Sequence, residues 1–276
     1  MTSVHQPPTP PPRYPSDLSD TAWSRIRSLI VPTLDKGGRP CSEARWREYV
    51  DALLYITRTG CPWRGLPHDF TTGWSAAHKH FTKWTPTGLW QRLLRVLREE
   101  TRTRAGRKPK PTAAIVDSSS VKAMPVAGPR GFDGAKKIDG IKRHILVDTT
   151  GLLLAVHVTP ANIQDRAVFA DLLTACDTKT VTKVWADKGY TGTAPAGAAA
   201  KAGIDLEIVS SPKPTNRFVV QPRRWVVERT NGWINHHRRL VRQHETTPTA
   251  HEGFLMLSQI GLLLRRLDKG QLFDTL

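Results

Sequence analysis

Apolar residues recur along the first hundred positions at helical rather than strand spacing. Ser19 precedes Trp23, Ile26, Leu29 and Ile30, a one-faced stripe that ends at Pro32 and takes Ser19 as its N-cap. Ser42 opens a second helix, in which Trp46, Tyr49, Val50, Leu53 and Leu54 fall at i, i+3, i+4, i+7 and i+8. A loop rich in breakers, TGCPWRGLPHDF, separates these from two more stripes, Trp74/Ala77/Phe81/Trp84 and Leu89/Trp90/Leu93/Leu94/Leu97. The expectation for 14–100 is an all-helical domain. Arg98–Lys110 then carries six basic residues against Glu99 and Glu100, with Gly106 and Pro109, and reads as a basic linker centred on 101–111.

From Ala113 the period changes. AAIVD reads as a short buried strand, and 142–149 and 152–158 read as two strands of a hairpin around Thr149-Thr150-Gly151. Helical spacing over 165–175, a strand over 181–187, an Ala-rich helix over 193–202 and a strand over 204–209 follow. Two long helical patterns, Pro222–Leu240 and His251–Leu267, close the chain. The order β-β-β-α-β-α-β-α over 112–269 predicts an α/β layer fold with a mixed sheet.

Composition changes this picture in one respect. The 276 residues hold 41 Lys and Arg against 24 Asp and Glu, a formal charge of +17, so a polyanion is the natural partner. A hydrophobic content of 39% with 9 Trp supplies a core and excludes a wholly disordered chain. Cys41, Cys61 and Cys176 form no C-x-x-C and join no histidine at zinc spacing, which points to a reducing compartment without a disulfide framework or zinc site. No apolar run reaches the ~18–20 residues of a membrane span. The segment 1–13, MTSVHQPPTPPPR, has no signal-peptide core and reads as a disordered Pro-rich tail.

Three acids stand where chemistry gathers in such folds. Asp117 ends the first strand (IVDSSS), Asp187 ends the fourth (VWADKGY), and Glu228 lies in a late helix (RWVVERTNGW). Strand-end carboxyls project at the edge of the sheet where α/β ligands bind, and a helix can bring the third over them. Converging carboxylates need a hard, oxygen-seeking cation such as Mg²⁺ or Mn²⁺, and two such ions can activate a hydroxyl and stabilise a leaving oxygen at a phosphodiester. The plainer reading keeps each acid as a turn former, a cap or a surface ion-pair partner. The surroundings weigh against it: Lys213–Arg239 holds seven Lys and Arg, two His and one acid, with Arg224 one helical turn before Glu228. Trp225 and Trp233 read first as packing residues, and Asn162 and Asp165 (ANIQD) as caps of the next helix. Lys122, Lys142 and Lys188 suit either a phosphate or a solvated surface. Gly128–Gly134 lacks the GK[ST] of a phosphate-cradling loop.

The run from Val116 to Asp165, then VWADKGYTG, then RRWVVERTNGWINHHRRL, resembles bacterial insertion-sequence transposases of the DDE class, in the group named for insertion sequence five. YPSDLSDTAW and LLYITRTGCPWRGLPHDF resemble the helical domain that precedes the catalytic core in those proteins, so the likeness runs from about Tyr14 to Leu267. It implies a ribonuclease-H-like mixed-sheet core preceded by an all-helical, DNA-binding N-terminal domain. It implies that Asp117, Asp187 and Glu228 form a Mg²⁺- or Mn²⁺-binding catalytic triad. The expected chemistry is cleavage at terminal inverted repeats and joining of the 3′-ends to target DNA, by a dimer on double-stranded DNA in the bacterial cytoplasm. Arg224, Lys122, Lys142, Arg143, Lys188, Arg229, His236, Arg238 and Arg239 are the candidate DNA contacts. Four positions depart from the group's pattern: Gln221 stands for a Tyr, Asn235 for a Lys, and Asp139 and Ile141 for basic residues. The rival readings are a ribonuclease-H-like nuclease that cuts without joining, and a transposase-derived DNA-binding protein without catalysis.

Overall fold

Side-chain caps start the first helices where the sequence places them. In a computed structural model describing residues 13–31, 41–125, 128–176, 178–209 and 224–270, Ser19 accepts from the Ala22 N–H to open α1 (Asp20–Ile30). Ser42 accepts from Arg45 N–H at 3.3 Å to open α2 (Glu43–Thr59), which stops at Gly60 in the left-handed conformation. α3 (Gly73–Trp84) and α4 (Leu89–Arg104) complete the leading helices. Trp23, Ile26, Tyr49, Leu53, Phe81, Trp90 and Leu97 are all buried, as the stripes require.

A mixed sheet follows, formed by β1 (Ala113–Lys122), β2 (Gly131–Asp133), β3 (Ile138–Asp148), β4 (Leu153–Pro160), β5 (Lys183–Ala186) and β6 (Asp205–Ile208). β3 lies antiparallel between β1 and β4, while β5 and β6 run parallel to β1, giving the spatial order β4-β3-β1-β5-β6. The short β2 pairs antiparallel with the start of β3 on the side that β4 occupies further along. α5 (Asp165–Ala175) and α6 (Thr193–Lys201) link the later strands, and α7 (Arg224–Asn235) and α8 (Pro248–Lys269) end the described chain.

Alternation along the central strands sorts side chains into two cores. Ile115, Val121, Ile141, Ile145 and Val147 face α7, α8 and the leading helices. Ala114, Val116 and Leu146 face α5 and α6. α8 carries the first of these cores: Phe254, Leu255, Leu257, Ile260 and Leu264 are buried on nearly every side of it, against α1, α2, α4 and β4. Such a helix reads as almost continuously apolar, and among the described residues no helix is long and apolar enough to cross a membrane.

The basic stretch after Leu97 departs from the expected linker. α4 continues through Arg104, and its arginines turn inward because the sheet offers acceptors there. Arg98 Nη1 donates to Leu153 O at 2.8 Å, and Arg102 Nε donates to Lys108 O at 2.9 Å while its Nη1 bonds the fully buried Asp148. Asp148 also accepts from Thr150 N–H at 2.8 Å, Thr150 Oγ1 at 2.6 Å and Leu152 N–H at 2.9 Å, fixing the β3–β4 turn. Residues 1–12 of the N-terminal tail and the positions of Gln221 and Pro222 lie outside the described residues, whereas Arg13 is held by Glu48 and by Asp69 O.

Removing one partner of a buried, hydrogen-bonded ion pair strands the other charge. Arg102→Ala is therefore expected to lower unfolding free energy by about 3–5 kcal/mol in urea denaturation. A solvent-facing linker arginine would change it by less than about 0.5 kcal/mol.

Candidate active site

The strand register brings two of the three candidate acids side by side. β1 and β5 pair in parallel at Ala113↔Lys183, Ala114↔Val184 and Ile115↔Trp185. Two residues further along each strand, on the face shared by Ile115 and Trp185, come Asp117 and Asp187. Asp187 remains extended (φ −86°, ψ −178°), and its Oδ1 accepts from Gly189 N–H at 2.8 Å, which turns the chain away and leaves Oδ2 toward α7. There Arg224 Nη2 lies 3.8 Å from Asp187 Oδ2.

α7 covers this edge because it is fitted to the β3–β4 turn. Thr230 Oγ1 donates to Gly151 O at 2.8 Å and Arg229 Nη2 donates to Thr150 O at 2.9 Å. Gly151 has φ +84°, and a Cβ there would sit 2.8 Å from Thr230 Oγ1, so glycine alone allows the close approach. Flanking the packed face of Val226, Val227, Thr230, Trp233 and Ile234, a second face of α7 carries Arg224, Glu228, Asn231 and Asn235, at i, i+4, i+7 and i+11. Asn231 Nδ2 reaches Asp117 Oδ2 at 3.4 Å, and its Oδ1 accepts from Ser119 Oγ at 3.3 Å. Glu228 lies on that face between Arg224 and Asn231, with an exposed side chain. Among the described residues, no three Asp, Glu, His or Cys side chains converge closely enough to cage a metal ion. Asp117 and Asp187 therefore stand together, and Glu228 stands beside them on the facing helix without closing on them.

Electrostatics mark the pair. Burial first, and the neighbouring Asp187 charge second, push the Asp117 carboxyl up to about 6 against the opposing pull of the Ser118 N–H, Arg224 and Lys136. On the far side of the sheet, Lys142 Nζ lies 3.0 Å from Asp165 Oδ1, and burial lowers His144 to about 4. An open cleft of about 440 Å³ runs past this group, lined by Phe132, Asp133, Lys142, Asn162, Asp165 and Lys188.

The cationic candidates divide by burial. Lys122, Lys188, His236 and Arg238 are exposed and can meet a phosphate. Arg143 is not available: it is 1% exposed, and its guanidinium donates to Ser119 Oγ at 3.1 Å, Asn235 Oδ1 at 3.2 Å and Leu240 O at 3.1 Å. Arg239 is likewise used internally, donating to Glu245 Oε1 at 2.6 Å and Cys61 O at 3.0 Å. Arg229 lies over one face of Trp225 (4.4 Å) and of Trp233 (4.7 Å), and Trp233 is buried with Arg266 also against it (4.1 Å), so Trp233 packs and offers no open stacking face. Lys142 is buried and donates to Ile163 O at 2.9 Å. The structure also gives Asn235 a reason: its carbonyl accepts from the buried Arg143, where a lysine would set a second cation against the guanidinium. Asp165 and Asn162 do not cap α5, whose N-cap is Gln164 without a side-chain bond; Asp165 is recruited instead by Lys142.

Asn231, Ser119 and Tyr190 were not singled out by sequence. Asn231 follows Glu228 by three residues and so shares its face, a spacing that could have flagged it. Ser119 shares Asp117's face by strand alternation.

The charged form of Asp117 is the one that burial penalises. Its unfolded value is near 4, so its ionisation costs stability increasingly from about pH 4 to about pH 6, and fully above. Asp117→Asn should accordingly raise the melting temperature at pH 7 by about 2–4 °C, a gain that shrinks toward pH 4. A variant that melts lower than wild type at pH 7 would contradict this.

Comparison with known proteins agrees with the geometry. Residues 108–264 match the family model "Transposase DDE domain", and residues 18–94 match "Putative transposase of IS4/5 family". The "Putative transposase for insertion sequence element IS402" of Burkholderia cepacia is 31% identical over 152 residues, covering 52% of this chain and 70% of that protein. An uncharacterized protein, y4sN, of Sinorhizobium fredii is 35% identical over 83 residues, covering 30% of this chain and 64% of that protein. With the DDE domain spanning more than half of its length, the chain belongs to the transposase DDE domain family, as an insertion-sequence transposase.

Proposed function

We propose that this transposase cuts DNA at the terminal inverted repeats of its element and joins the freed 3′-ends to target DNA, using Asp117, Asp187 and Glu228. The observation that carries the reading is the register-fixed pairing of Asp117 with Asp187 beneath the α7 face that bears Arg224, Glu228 and Asn231. The strand order β4-β3-β1-β5-β6, with β3 antiparallel and β5 parallel to β1, supports a ribonuclease-H-like core. The leading helices, over 14–100, would read the repeats, and the catalytic part would extend over 112–269. Two bound ends would bring two copies together.

The donor set suits Mg²⁺ or Mn²⁺: hard carboxylate oxygens, a raised Asp117 that a cation would return to its charged form, and, among the described residues, no thiol or imidazole grouped with the pair. Asp117 and Asp187 would hold the cation, with Glu228 completing the set from α7. A divalent ion there supplies Lewis-acid activation of the attacking hydroxyl and stabilisation of the leaving oxygen. The chain's own residues do the rest. Asn231 orients Asp117 through its amide, and Arg224 balances the charge of Asp187. Lys122, Lys188, His236 and Arg238 offer positive charge to the DNA backbone, and with a net charge of +17 the binding should fall steeply with salt.

The test is a strand-transfer assay on DNA carrying the element's ends, with Mg²⁺ or Mn²⁺. Wild type should give joined products, and Asp117→Asn and Glu228→Gln should give neither cut nor joined DNA while still binding the ends. Cleavage without joining would establish the nuclease reading, and binding without metal-dependent chemistry would establish the DNA-binding one.

A further inference from the structure

Tyr190 is the aromatic residue of the turn that follows β5, three positions after Asp187. Its side chain is 1% exposed. Its N–H donates to Asp187 O at 3.1 Å, and its ring packs edge-on against Phe169 of α5 with centroids 5.9 Å apart. Everything holding this residue is backbone or ring. Its hydroxyl is buried and, among the described residues, has no hydrogen-bond partner.

Burial first, and then the charges of Asp165, Asp117 and Asp187, raise the phenol well above its ordinary value, so the hydroxyl stays a neutral donor. The neighbouring Gly189 shows how tightly the acids close around the turn. A Cβ on it would sit 2.9 Å from Asp187 Oδ1 and 3.1 Å from Asp165 Oδ2. Asp165 is in turn held by Lys142 Nζ at 3.0 Å. A phenylalanine would satisfy every packing demand at position 190, whereas an orphaned buried hydroxyl costs stability and calls for an explanation.

We propose that Tyr190 is a positioning residue of the acidic pair, its hydroxyl held in reserve, with Asp165 beside it, to hydrogen-bond the oxygens that order around Asp117 and Asp187 when a divalent cation binds. Hydrogen bonds to ligating carboxylates fix their orientation, and losing one typically weakens metal affinity about 10–100-fold. The inference rests on reading Asp117 and Asp187 as the cation-holding pair.

Tyr190→Phe removes the hydroxyl and keeps the ring. Wild type, Tyr190→Phe and Asp117→Asn would be compared by melting temperature in chelator and by Mn²⁺ titration followed through the free-ion paramagnetic resonance signal. The expected result is a Tyr190→Phe protein that melts at or above wild type in chelator but binds Mn²⁺ about tenfold more weakly. Unchanged Mn²⁺ affinity in Tyr190→Phe would overturn the proposal. So would a clear loss of melting temperature in chelator, since the hydroxyl would then have a structural partner. Asp117→Asn separates the two levels. If it loses Mn²⁺ while Tyr190→Phe keeps it, only the role of Tyr190 fails. If Asp117→Asn binds Mn²⁺ like wild type, the reading of the pair fails, and this proposal with it.

Discussion

Two carboxylates held side by side on neighbouring parallel strands repel each other, and the surrounding structure is organised to tolerate that repulsion. The β1–β5 register leaves Asp117 and Asp187 no other placement, since one side-chain period separates them from the last paired residues, Ile115 and Trp185. Burial worsens the conflict by stripping water from Asp117. Relief comes from α7: an arginine near Asp187, an amide on Asp117, and a backbone anchored by Thr230 and Arg229 to a turn where Gly151 leaves room. A site that destabilises its own fold is the expected signature of stored function.

The turn that receives α7 is itself set by a distant element. Asp148 closes it with three hydrogen bonds and is neutralised by Arg102 from the end of α4. The leading helices therefore touch the chemistry through two rigid steps, α4 to the β3–β4 turn and the turn to α7. α8 binds the same helices to the sheet along its length. DNA held by the leading helices would thus be held in fixed relation to the acidic pair.

Much of this was legible in the sequence, and the failures are instructive. Periodicity placed the leading helices because their apolar stripes are wide and their caps are serines with the right partners. It placed Asp187 at a strand end, where β5 stops at Ala186, but it also ended the first strand at Asp117, whereas β1 pairs with β3 as far as Lys122 and carries Asp117 in mid-strand. It did not find β2, whose three residues carry no alternation long enough to read. It also assigned cations by sign alone. Arg98 and Arg102 lie in a basic segment and Arg143 and Arg239 are among the candidate DNA contacts, yet each turns inward to a carbonyl, a carboxylate or an amide that lies far away along the chain. Charge is local information, whereas the acceptor that claims it is tertiary information. Asp165 failed for the same reason: a cap is a local expectation, and Lys142 on β3 outcompeted it.

The central claim is that Asp117, Asp187 and Glu228 surround one cation-binding point on DNA. The most direct measurement replaces Mg²⁺ with Fe²⁺ in the complex with element-end DNA and maps where locally generated hydroxyl radicals cut the polypeptide. The account predicts cuts clustered near residues 117, 187 and 228, suppressed by excess Mg²⁺ and absent in Asp117→Asn. Cuts confined to other segments, or cuts near 117 and 187 with none near 228, would contradict it.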